Sequence, residues 1–287
     1  MKISKNRAIL TLLGLSFIWG SSFVLIKKGL ISFDPLQVAS LRIVIASLAF
    51  LPIFIKKYKL IQKNDIRNIA IVGYIGSAIP FVLYSIAQTK VDSSMAGVLN
   101  ALTPIFALII GVLFFKVENN LFKTLGVILG LVGASILIGA NGSIEMDSIG
   151  YSLLIVFATI CYALSVNTIG SKLKHIDSLA VSSASFIFIA PIAIIYLFST
   201  DFINIVQTNE GITSLVYISI LALIGTFLAT IIFFKLVKDT DAIFSSTVAY
   251  LIPAVALFWG VLDGEVINLL QIAGLILIIS GVYLSRK

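Results

Sequence analysis

Leu102-Thr103-Pro104-Ile105-Phe106-Ala107-Leu108-Ile109-Ile110-Gly111-Val112-Leu113 is present twice in this chain. Shifted by 149 positions it lies over Leu251-Ile252-Pro253-Ala254-Val255-Ala256-Leu257-Phe258-Trp259-Gly260-Val261-Leu262, with seven of twelve positions identical, the proline and the glycine among them. A proline inside an apolar helix removes a backbone donor and bends the helix. In lipid such a defect survives where neighbouring helices or a cavity satisfy the freed carbonyl. Two equivalent defects, one in each half of an apolar chain, point to a binding site between inverted repeats.

The composition fits that reading. Of 287 residues, 59% are hydrophobic and 11% are charged, with a mean hydropathy of +1.12. Soluble domains carry roughly 25% charged residues. Ten segments reach the ~20 mostly apolar residues that a spanning helix needs: 8–27, 35–55, 67–88, 93–115, 122–140, 149–170, 178–199, 212–235, 242–262 and 266–284. Met1 to Arg7 followed by an apolar run resembles a signal peptide, but Ala8 to Ile26 is long enough to span and is read as a retained first helix. With the N-terminus cytoplasmic, sixteen Lys and Arg fall inside, Lys27, Lys28 and Lys90 fall outside, and Arg42 lies within a span. That bias puts both termini in the cytoplasm and explains the +7 net charge without nucleic acid. The cluster from Lys56 to Arg67 is suited to anionic lipid heads, though a retention signal for topology explains it as well.

The duplication covers nearly the whole chain. At a shift of 143, Asp34, Leu36, Val38 and Ser40 match Asp177, Leu179, Val181 and Ser183, and Trp19 falls on Tyr162. At 149, Gly76 and Asp92 match Gly225 and Asp241; at 148, Gly126 and Gly133 match Gly274 and Gly281. The fold expected is all-α and integral to the membrane: ten transmembrane helices in two five-helix repeats, residues 1–142 and 143–287. Five is odd, so the second repeat enters from the opposite face. The repeats are inverted, the arrangement that supports alternating access.

With these residues in place the chain resembles the EamA-type ten-helix carriers of the drug/metabolite transporter superfamily. The resemblance rests on Trp19-Gly20, Leu41-Arg42, Pro104 and Pro253, Glu118 and Glu265 ahead of helices 5 and 10, and the late glycines. Helix 1 departs from it, with Ser21-Ser22-Phe23 where an asparagine often follows. The resemblance implies a bacterial inner-membrane carrier with a central cavity lined by helices 1, 3, 4, 6, 8 and 9, and with helices 5 and 10 at the periphery. It implies substrates among amino acids, other metabolites and drugs, mostly exported.

Repeat positions that stay identical serve packing and hinge, while those that diverge can read an asymmetric substrate. On that ground Trp19 against Tyr162, Asn100 against Ala249, and Tyr250 against Ala101 are candidate substrate contacts. Tyr84 joins them, with Gln88 and Asn167 as weaker additions. An aromatic ring in a membrane helix is as readily packing, whereas a buried amide must find partners. Arg42 is the one formal charge inside a span, roughly 10 Å past the start of helix 2 at 1.5 Å per residue. Such a charge faces a cavity or pairs, or else snorkels to the interface. Pro104 and Pro253 are candidate hinges. Glu118 and Glu265 are candidate gate residues, or simply anions favoured at helix starts. The glycines at 126, 130 and 133 suit a close helix contact, internal or between protomers, so monomer and homodimer both fit.

Catalytic chemistry is missing from the sequence. There is no HExxH and no Walker loop; Cys161 is a lone thiol and His175 sits in a short loop beside lysines. No metal or cofactor is implied. All thirteen carboxylates map to loops or helix ends, leaving none mid-membrane as a proton site. The function expected is a secondary carrier of a small organic metabolite, an amino acid or related amphipathic solute, exported across the inner membrane. The alternatives are a membrane scaffold or sensor and an intramembrane enzyme.

Overall fold

The computed structural model describes residues 4–118, 120–139, 149–262 and 269–285. They form ten helical passes. α1 is Lys5–Gly29 and α2 Pro35–Lys57; α3 runs through Ile66–Gly73, Tyr74–Ala78 and Ile79–Ala87; α4 consists of Ser93–Asn100 and Thr103–Phe115; α5 is Leu121–Gly139. In the second half, α6 is Ile149–Ser171 and α7 Ser178–Phe198; α8 runs through Asn209–Ile220, Leu221–Leu228 and Ala229–Asp239; α9 consists of Ala242–Ser246 and Val248–Leu262; α10 is Leu269–Ser285. Six passes are long and apolar enough to cross a membrane as described, and shorter apolar helices carry the other four. The proposed repeat boundary at 142/143 lies outside the described residues.

The duplicated polar residues set where helices begin. Asp34 caps α2, its Oδ1 accepting from the backbone of Leu36 at 2.8 Å and Gln37 at 2.9 Å, with Pro35 preset for the first turn. Its repeat partner Asp177 caps α7 through Leu179 at 3.0 Å and Ala180 at 3.2 Å. Asp241 caps α9. The stretch from Ser199 to Ile212, between the expected spans 178–199 and 212–235, holds a short helix (Phe202–Val206) and the start of α8. There Thr208 Oγ1 accepts from Gly211. A β-hydroxyl at that place is a helix-start signal that outweighs the local polarity.

Packing is reciprocal between the halves. α1 lies on α8 and α9, and α6 lies on α3 and α4; α2 pairs with α7, and α5 with α10. The α5–α10 seam shows the relation at atomic detail. A Cβ added to Gly133 would stand 2.7 Å from the carbonyl of Gly274, and one on Gly281 would stand 2.6 Å from the carbonyl of Gly126. These four glycines are repeat partners, so one contact is made twice about a pseudo-two-fold axis. The small-residue seam is therefore internal to the chain. Leu125, Ile128, Ile276 and Ile279 stay exposed on the outside of this pair, as lipid-facing side chains do.

Two further breaks are also paired. Tyr74–Ala78 in α3 and Leu221–Leu228 in α8 are π-helical, and they contain the repeat partners Gly76 and Gly225. Single π turns inside α-helices gather at functional sites. Each glycine admits a serine of the opposite half: a Cβ on Gly225 would come within 2.8 Å of Ser22 Oγ, and one on Gly76 would collide with Ser165. Ser22 and Ser165 are themselves repeat partners at a shift of 143.

Candidate functional site

The helix breaks surround a cavity of about 140 Å³ at the meeting of the halves. On a measure by which one water needs roughly 10–15 Å³, there is space for a small organic molecule. Side chains from α1, α2, α3, α4, α6, α8 and α9 line it. Five of the six substrate candidates are brought together there: Trp19, Arg42, Tyr84, Asn100 and Tyr162.

The lining is itself arranged in repeat pairs. Trp19 meets Phe233 edge-on, with ring centroids 5.0 Å apart, and the equivalent pair Tyr162 and Tyr84 is stacked at 6.0 Å. Trp19 donates its indole N–H to the Gly225 carbonyl at 2.9 Å, so α1 is fastened to the π turn of α8. Tyr84 donates to Asn100 Oδ1 at 2.8 Å. Thr103 Oγ1 donates to the Asn100 carbonyl at 2.8 Å, the acceptor that Pro104, lacking an N–H, leaves free. The chain turns at Ala101 and Leu102, and α4 restarts with Pro104 in its first turn. Pro253 lies within the second piece of α9.

Arg42 is 8% exposed and turns into the cavity. Its Nε donates to Thr226 Oγ1 at 2.6 Å, and its Cζ lies 3.7 Å from the centroid of the Phe81 ring. Among the described residues no carboxylate pairs with it, and neither Nη finds a protein acceptor. Its repeat partner at a shift of 143 is Ser185, so the charge belongs to one half alone.

Tyr250 is placed elsewhere. It is fully buried, donates to the Val127 carbonyl at 2.7 Å, and its ring fills the space a side chain at Gly130 would take. Its neighbours Ala249 and Ile252 face the cavity in its stead, because successive positions on a helix are turned by ~100°. The two weaker candidates do structural work: Gln88 Nε2 reaches the Phe23 carbonyl and Ser93, and Asn167 Nδ2 braces α6 on the Ala107 carbonyl of α4. Glu118 is exposed in the link before α5, whose first turn is met by Asn120. Glu265 lies outside the described residues. Lining residues that composition did not single out, such as Phe81, Thr103, Phe233 and Ile252, carry a signal nonetheless. They are the repeat pairs Phe81/Thr230, Thr103/Ile252 and Tyr84/Phe233 at a shift of 149.

Comparison with known proteins agrees with this geometry. The profile of the EamA-like transporter family matches the chain twice, over residues 6–139 and 149–286. The uncharacterized transporter YoaV of Bacillus subtilis is 26% identical, the match covering 97% of this chain and 96% of that protein. The uncharacterized inner membrane transporter YedA of Escherichia coli K12 is 24% identical over 97% of this chain and 91% of its own length. A solved crystal structure shares the fold, with a TM-score of 0.73 and 14% identity, covering 98% of this chain and 96% of the other. With both halves matched and the two-fold cavity between them, this chain belongs to the EamA-like transporter family, a family of multi-pass membrane transporters and not of enzymes.

Proposed function

We propose that the chain exports a small organic metabolite, an amino acid or related amphipathic solute, across the inner membrane by alternating access around this cavity. The observation that carries the reading is the pair of equivalent aromatic contacts, Trp19–Phe233 and Tyr162–Tyr84, which bound one cavity from the two halves. A site shared by two repeats changes its exposure when one repeat rocks against the other. Pro104, at the break in α4, and Pro253, inside the second piece of α9, are the hinges of that motion, and the π turns that hold Ser22 and Ser165 are its bearings. Differential affinity between the inward- and outward-open states sets the populations, with no chemical step. Both termini are cytoplasmic in this reading, on the distribution of Lys and Arg.

The test is flux of labelled metabolites in proteoliposomes of the purified chain, across amino acids, other organic acids and neutral solutes. Saturable counterflow of one class supports the carrier reading. Absence of flux for the whole panel, from protein that melts cooperatively, favours the scaffold or sensor reading instead.

A further inference from the structure

The repeat pairs that line the cavity are not balanced in polarity. In the first members of the pairs, Tyr84 stands against Phe233, Asn100 against Ala249, and Thr103 against Ile252; Tyr162 stands against Trp19. Tyr84, Asn100 and Thr103 are joined in one hydrogen-bonded group, and Tyr162 stacks on Tyr84. Trp19, Phe233, Ala249 and Ile252 present apolar surface, since the one polar atom among their side chains, the indole N–H, is already spent on Gly225. Through these four pairs, and against the reversed pair Phe81 and Thr230, a box built by duplication has acquired a more polar side and a more apolar side.

The cation adds a second asymmetry. Arg42 holds its Nε on Thr226, and the next residue back, Gly225, holds Trp19. Guanidinium and indole are anchored one residue apart on the same π turn, so a solute that touches one is beside the other. A buried guanidinium is costly without an anion, and Phe81 beneath it offsets only part of that cost. The two Nη groups form a planar fork, matched in geometry to a carboxylate. Among the described residues no Asp or Glu lines the cavity, so none of them offers a counter-charge to an ammonium group.

Resting on the carrier reading above, we propose that the cavity takes a monoanionic carboxylate with an apolar body, in preference to a zwitterion or a neutral solute. The carboxylate sits on the Nη edge of Arg42, and the body lies against Trp19, Phe233 and Ile252. One negative charge neutralises Arg42, the one positive charge in the lining among the described residues.

Thermal melts of the purified full chain in detergent test this, with affinity taken from the rise in melting midpoint with concentration. The probes are 3-phenylpropanoate, its amide and phenylalanine, then 4-methylpentanoate, its amide and leucine, all against a chloride background. Each acid is expected to bind at least ~10-fold tighter than its amide and than its amino acid, as a charge-assisted hydrogen bond implies. Arg42→Gln should weaken the acids ~10- to 100-fold and bring the acid-to-amide ratio to about one. Arg42→Lys, a charge without the fork, should fall between. The acid-to-amide comparison is made in the unaltered protein, so it stands even where a substitution prevents folding. Amide or amino acid binding as tight as the acid overturns the proposal, as does binding of none of the acids, or stabilisation by chloride alone that matches theirs. A preference that persists in Arg42→Gln overturns the assignment to Arg42. Flux separates this from the parent reading: selective acid binding without acid transport removes the carrier and leaves the site. Transport of neutral or zwitterionic solutes with no preference for acids keeps the carrier and removes the proposal.

Discussion

Trp19 and Tyr162 occupy equivalent places in the two repeats, yet only one of them carries a structural bond. The Trp19 indole satisfies the Gly225 carbonyl in the π turn of α8. The Tyr162 phenol finds no protein acceptor among the described residues, although it lines the same cavity. Trp19→Phe should therefore lower the melting midpoint, since an orphaned buried carbonyl costs about 1–3 kcal/mol. Tyr162→Phe should leave the melt nearly unchanged and act instead on the KM of the transported solute. Equal melts for the two variants would show that the indole bond is unimportant. Asp177, outside the spans, gives a pH test. Burial pulls its carboxyl upward, but the hydrogen bond from Lys57, the backbone N–H groups of α7 and the Lys57 charge together hold it below its ordinary 3.8. A carboxylate held low stabilises the fold above that ordinary value and loses the effect as pH falls through the lowered one. Asp177→Ala should cost ~1 kcal/mol at neutral pH, mostly as a lost cap, because the half-exposed pair with Lys57 adds little. The gap between the melts of the two proteins should begin to narrow as pH falls below about 3.8 and narrow further through the lowered value. At this scale the sequence was informative where repeat partners diverge: Trp19, Asn100 and Tyr162 all reach the cavity. Divergence does not report which way a helix is turned, and so Tyr250 and Ala249, one residue apart, could not be told apart.

The helices divide into those that bend and those that brace. α5 and α10 meet through Gly133 and Gly281 with no room for a methyl group, the obstacles being backbone atoms that cannot rotate away. Gly133→Ala and Gly281→Ala should each destabilise by roughly 1–3 kcal/mol through overpacking, and the repeat relation makes the two losses alike. A melt unchanged in either variant would mean that the seam is looser than the contact implies. The bending helices should respond in the opposite sense. Pro104→Ala restores a donor to the Asn100 carbonyl, which Thr103 now occupies, and straightens α4 at its turn. Insertion and melting should be retained while flux slows, because a straightened helix disfavours one of the two states; Pro253→Ala should act likewise in α9. Unimpaired flux in both single variants and in the double variant would remove the hinge. Prolines are legible in a sequence because their covalent constraint is local. The π turns were not, since Tyr74–Ala78 and Leu221–Leu228 are composed like any apolar helix. Their tertiary partners, Ser22 and Trp19 against α8 and Ser165 against α3, accompany the extra residue, and in α8 the Thr226 hydroxyl donates back to the Leu221 carbonyl.

For the molecule as a whole, the duplication and the ten apolar stretches were enough to reach a membrane fold of two related halves, because each is a sum over many residues. What energises transport is likewise a property of the whole chain. A proton-coupled carrier needs an ionisable group that burial and substrate can shift, and carboxylates in the membrane interior serve that role. Among the described residues the cavity lining contains none. Among the described residues Asp65 is the buried carboxylate, held at a helix end by His175, and a guanidinium keeps its proton at physiological pH. Sodium would require several converging oxygens. Near the prolines the Asn100 carbonyl, one such oxygen, is already bonded by Thr103. We therefore predict transport driven by the solute gradient and, for a charged solute, by the membrane potential. Moving one elementary charge across 100 mV is worth ~2.3 kcal/mol, a bias of about fifty-fold. For a monoanion leaving a cell whose interior is negative, that bias favours export. In proteoliposomes loaded with an acid that the protein transports, an inside-negative potassium diffusion potential should accelerate efflux and an inside-positive one should slow it. A pH gradient at zero potential should cause no accumulation of that acid beyond what leaks through protein-free vesicles. Accumulation driven by pH alone would mean that a helix-end carboxylate, Asp92 or Asp241 first, joins the transport cycle, and that the lining seen here is not the whole of the coupled site.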